Sequence, residues 1–243
     1  MRCADVYSLF FHPGEVTEIR AFGLSGKNKG WEGWARGAGI VYGYFDNAEA
    51  FGRSAEALEL AKAPGIYFVL NPVIPDLLAR AANRLRAADQ KTVATSDKDV
   101  KVLRWIYVDL DPKRPTGISS TAVELQAAVE TRDKINAYLK EKGFKGGIPA
   151  ISGNGAHLLI QIRDHELTNR TEPSQDPTVI SIRNVLKHLA DKFDSDRVEV
   201  DQKTFNPSRI CKLYGTTARK GDHTPTRPYR ESYIEPDFLK GGK

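Results

Sequence analysis

Between residues 103 and 201 the hydrophobic period of the chain switches in one order, strand, helix, strand, strand, helix, strand, and few folds accommodate that order. Alternating apolar and polar residues at 103–110, 148–151, 156–162 and 197–201 read as strands, and a 3.6-residue period at about 121–142 and 178–193 reads as helices. Ser119 or Ser120 is the expected N-cap of the first helix, and Gly143 follows its last turn. Such a β-α-β-β-α-β unit closes into an antiparallel sheet in the order 4-1-3-2, with both helices on one face and the other face free for function.

The first strand, Trp105-Ile106-Tyr107-Val108-Asp109-Leu110-Asp111, shows what that free face carries. Successive side chains alternate, so Ile106, Val108 and Leu110 point to the helices while Trp105, Tyr107, Asp109 and Asp111 point the other way. Residues two apart on a strand are ~6–7 Å apart. Two like charges ~5 Å apart repel by ~3 kcal/mol at an effective dielectric of about 20. Two readings fit. Either a hard divalent cation, Mg²⁺ or Mn²⁺, sits between the carboxylates and also holds phosphates, or the aspartates cap the turn that Asp111-Pro112 favours.

Strand four, Arg197-Val198-Glu199-Val200-Asp201, turns Glu199 and Asp201 to the same face, and in a 4-1-3-2 sheet it lies beside strand one. Asp201 is therefore expected next to the Asp109/Asp111 pair. A third carboxylate from a separate segment favours the metal reading over solvated surface acids, and three of them can carry two-metal phosphoryl transfer. Strand three is preceded by Ser152-Gly153-Asn154-Gly155-Ala156-His157. Its glycines let the backbone approach a ligand, and Ser152, Asn154 and the local amides can donate to phosphate oxygens. His157 alone reads as structural; beside acids and a glycine-rich turn it reads as a nucleotide contact and a proton source. Downstream of Asp201, Arg209 and Lys212 are read as triphosphate ligands, while Arg219 and Lys220 read equally as ligands or as solvated charges.

The first hundred residues mix short strands and helices. A helix is expected over Ala48–Ala63, a buried strand over Gly65–Leu70 ending at Asn71-Pro72, and a second helix over Ile74–Ala88 opened by Pro75 and Asp76. The Gly-, Lys- and Trp-rich stretch from Gly23 to Gly39 reads as a mobile loop. It is not a phosphate-binding P-loop, because Ala21 stands where the first glycine belongs and Asn28 where Ser or Thr should follow Lys27. Lys27, Lys29 and Arg36, interleaved with Trp31 and Trp34, form a candidate single-strand contact by charge and stacking, with loop anchoring by the tryptophans as the competing reading. Lys113 and Arg114, just beyond the acidic strand, are candidate contacts to a template or primer phosphate.

With 243 residues, 40% of them hydrophobic and 28% charged, the chain suits a soluble globular protein, and a net charge of +5 suits a polyanionic partner. No apolar run reaches the length of a membrane span, the start lacks a signal-peptide core, and a cytoplasmic protein is expected. Two cysteines and five histidines without paired ligand spacing give no expectation of zinc.

Three motifs in order, the strand ending Asp109-Leu110-Asp111, the Ser152-to-His157 turn and Val200-Asp201, resemble the active-site motifs of the archaeo-eukaryotic primase superfamily. The resemblance is strongest to its primase-polymerase branch on phages, plasmids and other mobile elements, including CRISPR-associated members. Further likeness lies in Gly65 to Pro72, in Asp109 to Gly117 and in Asn206 to Gly221, so that it covers most of the chain from about 40 to 230. The resemblance implies an α+β fold of two modules, an N-terminal α/β module (1–100) packed on a ferredoxin-like, RNA-recognition-motif-like module with a C-terminal basic segment (101–243), together one catalytic domain. It implies a DNA primase or DNA-directed polymerase that transfers nucleotides from NTPs or dNTPs to a 3′-hydroxyl on a single-stranded DNA template, with two Mg²⁺ or Mn²⁺ ions. Asp109, Asp111 and Asp201 would hold the metals; Ser152, Asn154, His157, Arg209, Lys212 and Lys220 would bind the nucleotide, and Asn71 its sugar or a phosphate. Many such proteins add a zinc module or a helical C-terminal domain. The resemblance thus implies extension more directly than unaided primer initiation, with a helicase, another replication protein or a missing domain as partner.

The competing class is a non-catalytic single-strand-binding module, since this sheet plan more often binds RNA. Such modules stack bases on aromatics of strands one and three, whereas strand three here offers His157, Leu159 and Gln161. A rolling-circle nicking enzyme needs a His-hydrophobic-His motif that is missing, and a phosphohydrolase has less use for Arg209 and Lys212.

Overall fold

The structure, a computed structural model, describes residues 2–24, 39–236 and 238. In chain order its elements are α1 (Cys3–Phe10), β1 (Thr17–Phe22), β2 (Val41–Phe45), α2 (Ala48–Leu60), β3 (Gly65–Val69), β4 (Arg86–Ala87) and β5 (Val102–Pro112). There follow α3 (Ala122–Glu141), β6 (Ile148–Ile151), β7 (Ala156–Glu166), α4 (Pro177–Phe193), β8 (Val198–Val200), β9 (Ile210–Lys212), β10 (Thr217–Ala218), β11 (Arg230–Glu231) and β12 (Tyr233–Ile234). The fold is α+β. Two five-stranded sheets, β4-β2-β1-β3-β9 and β12-β6-β7-β5-β8, are paired antiparallel throughout, and β10 and β11 form a small ribbon. No helix among the described residues is long and apolar enough to cross a membrane.

The second sheet has the order expected for β-α-β-β-α-β, extended by β12 at one edge. Ile106, Val108 and Leu110 pack against α3 and α4, as their alternation requires. The opposite face is largely covered. Trp105, Tyr107, Ile148, Ala150 and Leu159 share one apolar core with Phe10, Phe51, Phe68 and Tyr214, and the carboxylate end stays open. At the other end of β5 the register against β7 shifts between Leu103 and Trp105. Arg104 there is buried and paired with both Glu15 and Asp164. β9 hydrogen-bonds to β3, so residues 210–212 belong to the first sheet although they lie between β8 and β12 of the second in sequence.

Two local expectations change. The helix expected over Ile74–Ala88 is only a 3₁₀ turn, Pro75–Arg80, followed by a bend and β4. The exposed edge of β2 captures this segment: the Tyr44 amide donates to the Ala81 carbonyl, the Asn83 amide donates to the Tyr44 carbonyl, and Asn83 adopts φ 51° with its side chain bonded to Asp46. Sheet-edge partners outcompete helix propensity, which is a weak preference. Thr121, rather than Ser119 or Ser120, caps α3 through a reciprocal pair with Glu124. The serines are buried, with Ser119 Oγ donating to the Lys220 carbonyl and the Ser120 amide donating to Asn154 Oδ1.

Candidate active site

A cleft of about 560 Å³ opens between the two sheets at the carboxylate end of β5. One wall is apolar, with Phe22, Pro64, Tyr67 and Ile210; the other carries Asp109, Asp111, Ser152, Asn154 and His157. Arg114, Arg209, Lys212, Arg219 and Lys220 supply its cations. The segments that meet here are scattered along the chain from Phe22 to Lys220.

Asp109 and His157 are direct cross-strand partners, and His157 Nε2 lies 3.4 Å from Asp109 Oδ1. His157 is 2% exposed, with Nε2 2.9 Å from Tyr107 Oη and Nδ1 2.7 Å from Tyr214 Oη. Burial opposes both charges of the pair, but each partner outweighs it for the other. Asp109 keeps the imidazole protonated above its usual range, and the imidazolium keeps the Asp109 carboxyl below its own. Both ring nitrogens of the imidazolium then donate to tyrosine hydroxyls. Neither tyrosine stood out in the sequence as a site residue. Tyr107 is legible in retrospect, being on the Asp109 face of the strand, whereas nothing marks Tyr214.

Asp111 lies toward solvent, its side chain 50% exposed, with Arg114 Nη1 3.6 Å away. Burial and the Asp109 charge push its carboxyl up to about 6, against the pull of Arg114, Lys220 and His157. Asp201 follows β8, and its amide donates to the Asp109 carbonyl at 2.9 Å. Its carboxylate accepts from the Lys203 amide and pairs with Arg209 at 2.5 Å, and it does not line the cleft. Among the described residues, no three His, Cys, Asp or Glu side chains stand in position to hold one ion. The cleft does present two oxygen-donor side chains on one strand face, with Arg209 joining the cleft to Asp201. An all-carboxylate set at raised mutual repulsion is the chemistry Mg²⁺ and Mn²⁺ favour, so the donor set fits such a cation.

The Ser152–Gly155 turn folds under close constraint. The Gly155 amide donates to Ser152 Oγ, and a Cβ on Gly155 would meet the Leu110 carbonyl oxygen at 2.5 Å. Gly153 adopts φ 98°, and a Cβ there would meet Ala218 Cβ at 2.7 Å. Only glycines allow the turn to lie on both β5 and β10. Asn154 lines the cleft while its Oδ1 accepts from the Ser120 amide.

The cations divide into pinned and available ones. Arg219 is bound to Glu59 of α2 and to the Ala63 carbonyl, so it clamps the 217–219 segment to α2 and the turn that follows it. Arg114 donates to the Pro112 and Ile118 carbonyls. Arg209 holds Asp201, Lys220 is exposed, and Lys212 is buried with Nζ donating to Thr216 Oγ1 and the Thr217 carbonyl. Asn71, expected at the sugar or a phosphate, is instead a buried tie outside the cleft: its Oδ1 accepts from the Arg104 and Trp105 amides, and its Nδ2 donates to the Pro207 carbonyl. Lys113 is exposed and outside the cleft. Lys27, Lys29, Trp31, Trp34 and Arg36 lie outside the described residues.

No family model and no curated protein matches the chain. Among solved structures it is similar to the polymerase domain of Ligase D from Mycobacterium tuberculosis in complex with DNA, at 14% identity and a TM-score of 0.46, covering 94% of this chain and 78% of that one. A likeness of that size supports no assignment.

Proposed function

We propose that the chain is a divalent-cation-dependent nucleotidyltransferase of the primase-polymerase type, which transfers a nucleotide from an NTP or dNTP to a 3′-hydroxyl on a single-stranded DNA template. One observation carries the reading: a single cleft sets two carboxylates of one strand face against lysine and arginine side chains, with a glycine-rich turn along its wall. The acids suit hard cations, and the lysines and arginines among them suit a polyphosphate. A single-strand-binding module has no need of a charged pair buried with a histidine.

In this reading Asp109 and Asp111 would hold the cation, while Asp201, paired with Arg209 and outside the cleft, is not among its ligands. Once bound, the cation would neutralise charge on the phosphates and favour ionisation of the attacking hydroxyl. The remaining work belongs to the chain. His157, fixed by Tyr107 and Tyr214, orients Asp109 and places a positive charge behind it. Having no ring nitrogen free, it acts through Asp109 rather than as an open phosphate donor. Arg209 positions Asp201, while Ser152, Asn154, Lys212 and Lys220 line the path of the triphosphate. The apolar wall of Phe22, Pro64 and Ile210 excludes water from the nucleoside side.

The test is incorporation of labelled nucleotides on primed and unprimed single-stranded DNA with Mg²⁺ or Mn²⁺, for the parent and for Asp109→Ala. Incorporation by the parent with a loss of at least about a hundredfold in the variant is the expected result. A folded parent that binds single strands yet incorporates no NTP or dNTP assigns the chain to the binding class.

A further inference from the structure

Among the cations of the cleft, Lys212 is the buried one with no salt-bridge partner among the described residues. Arg219 is paired with Glu59 and Arg209 with Asp201, and Arg114 lies 3.6 Å from Asp111; Lys220 is in solvent. Lys212 is 4% exposed, and two of its three N–H donors go to neutral oxygens, Thr216 Oγ1 at 2.8 Å and the Thr217 carbonyl at 3.2 Å. The groups that face it are Cys3 from α1, Glu59 from α2, Tyr67 directly across from it on β3, Cys211 beside it and Arg219 beyond it. Glu59 attracts it through space but makes no hydrogen bond to it, since that carboxylate accepts from the Thr217 amide, Thr217 Oγ1 and Arg219. A buried ammonium with only neutral partners is unfavourable unless it loses its proton or gains an anion. Burial, helped by Arg219 and opposed by Glu59, pulls the amine down to about 7. Lys212 also lines the cleft, so an anion can reach it.

We propose that Lys212, buried in the cleft wall with its hydrogen bonds on neutral oxygens, is a proton-coupled anchor for the nucleotide that takes a proton from solvent when a polyphosphate enters. The inference rests on the nucleotide reading of the cleft and specifies how that site recognises its ligand. The balance is simple. A neutral amine and a proton from the buffer give an ammonium beside the phosphate oxygens, and no other bond changes. The anion stabilises the charged form, so its arrival raises the amine's proton affinity. By linkage, nucleotide affinity falls by up to about tenfold per pH unit as pH rises above about 7, because binding must then supply the proton. A permanently charged arginine at this place would recognise the same anion without that dependence.

The experiment is calorimetric titration of Mg·ATP into the full chain without nucleic acid, at pH 8 in two buffers of different ionisation enthalpy. The parent is expected to take up close to one proton per nucleotide bound. Lys212→Met, which keeps an apolar stem in the buried site, is expected to bind at least about tenfold more weakly and to take up none. Lys212→Arg is expected to bind with no uptake. Mg·ATP binding by the parent without proton uptake, or undiminished uptake in Lys212→Met, overturns the role of Lys212 and leaves the nucleotide site standing. A folded parent that binds no Mg·ATP overturns the nucleotide reading itself, and the anchor with it.

Discussion

Asp111 is held against two opposing influences, burial with a neighbouring carboxylate on one side and Arg114, Lys220 and His157 on the other, and the first prevails. Its carboxyl rises from an unfolded value of 3.8 to about 6, so the folded chain retains that proton to higher pH than the unfolded chain. Ionised Asp111 therefore destabilises the fold above about pH 6 and has no such effect below about pH 4. Solvent around this half-exposed side chain screens the effect. In metal-free buffer Asp111→Asn is expected to raise Tm at pH 8 and to change it little at pH 4; an unchanged Tm at pH 8 contradicts the arrangement of charges. Alternation along residues 105–111 made the placement of both acids legible in the sequence. The commitment of Asn71 to the Arg104 and Trp105 amides and of Arg219 to Glu59 was not legible, because a polar side chain spends its bonds on whatever the fold brings near it.

Among the elements, the turn between β6 and β7 is held by two close approaches. It touches β5 through Gly155 and β10 through Gly153, so the position of Ser152 and Asn154 depends on two backbone approaches with no space for a Cβ. Gly155→Ala is expected to lower stability by about 1–3 kcal/mol, since overpacking against a backbone carbonyl has no easy relaxation. It should reduce nucleotide incorporation at temperatures where the variant is still folded. Urea denaturation with incorporation on a primed template measures both, and a variant equal to the parent in each would show that the turn has room to shift. Glycine spacing in the sequence pointed to a close approach here but not to its partners. The helix expected over Ile74–Ala88 failed for the converse reason: its local pattern was helical, and an unpaired strand edge offered stronger hydrogen bonds.

In the whole molecule the two sheets share a core. Trp105, Tyr107 and Leu159 from one sheet pack with Phe10 and Phe68 from the other half, and β9 crosses back to pair with β3. The halves are expected to unfold together. Urea curves followed by far-UV circular dichroism and by tryptophan fluorescence should coincide in a single transition, whereas two separated transitions would mean independent modules. The sequence by itself determined the β-α-β-β-α-β order, the helix-facing and acid-bearing sides of β5, and the glycine-rich turn before β7. These follow from alternation and backbone freedom, which are local properties. Only the tertiary structure decided that the acid-bearing face is mostly roofed, that Asp201 turns to Arg209 while Asp109 pairs with His157, and that Lys212 is buried without an acid. Desolvation and pairing depend on neighbours drawn from separate elements of the chain, and no local pattern records which neighbours those are.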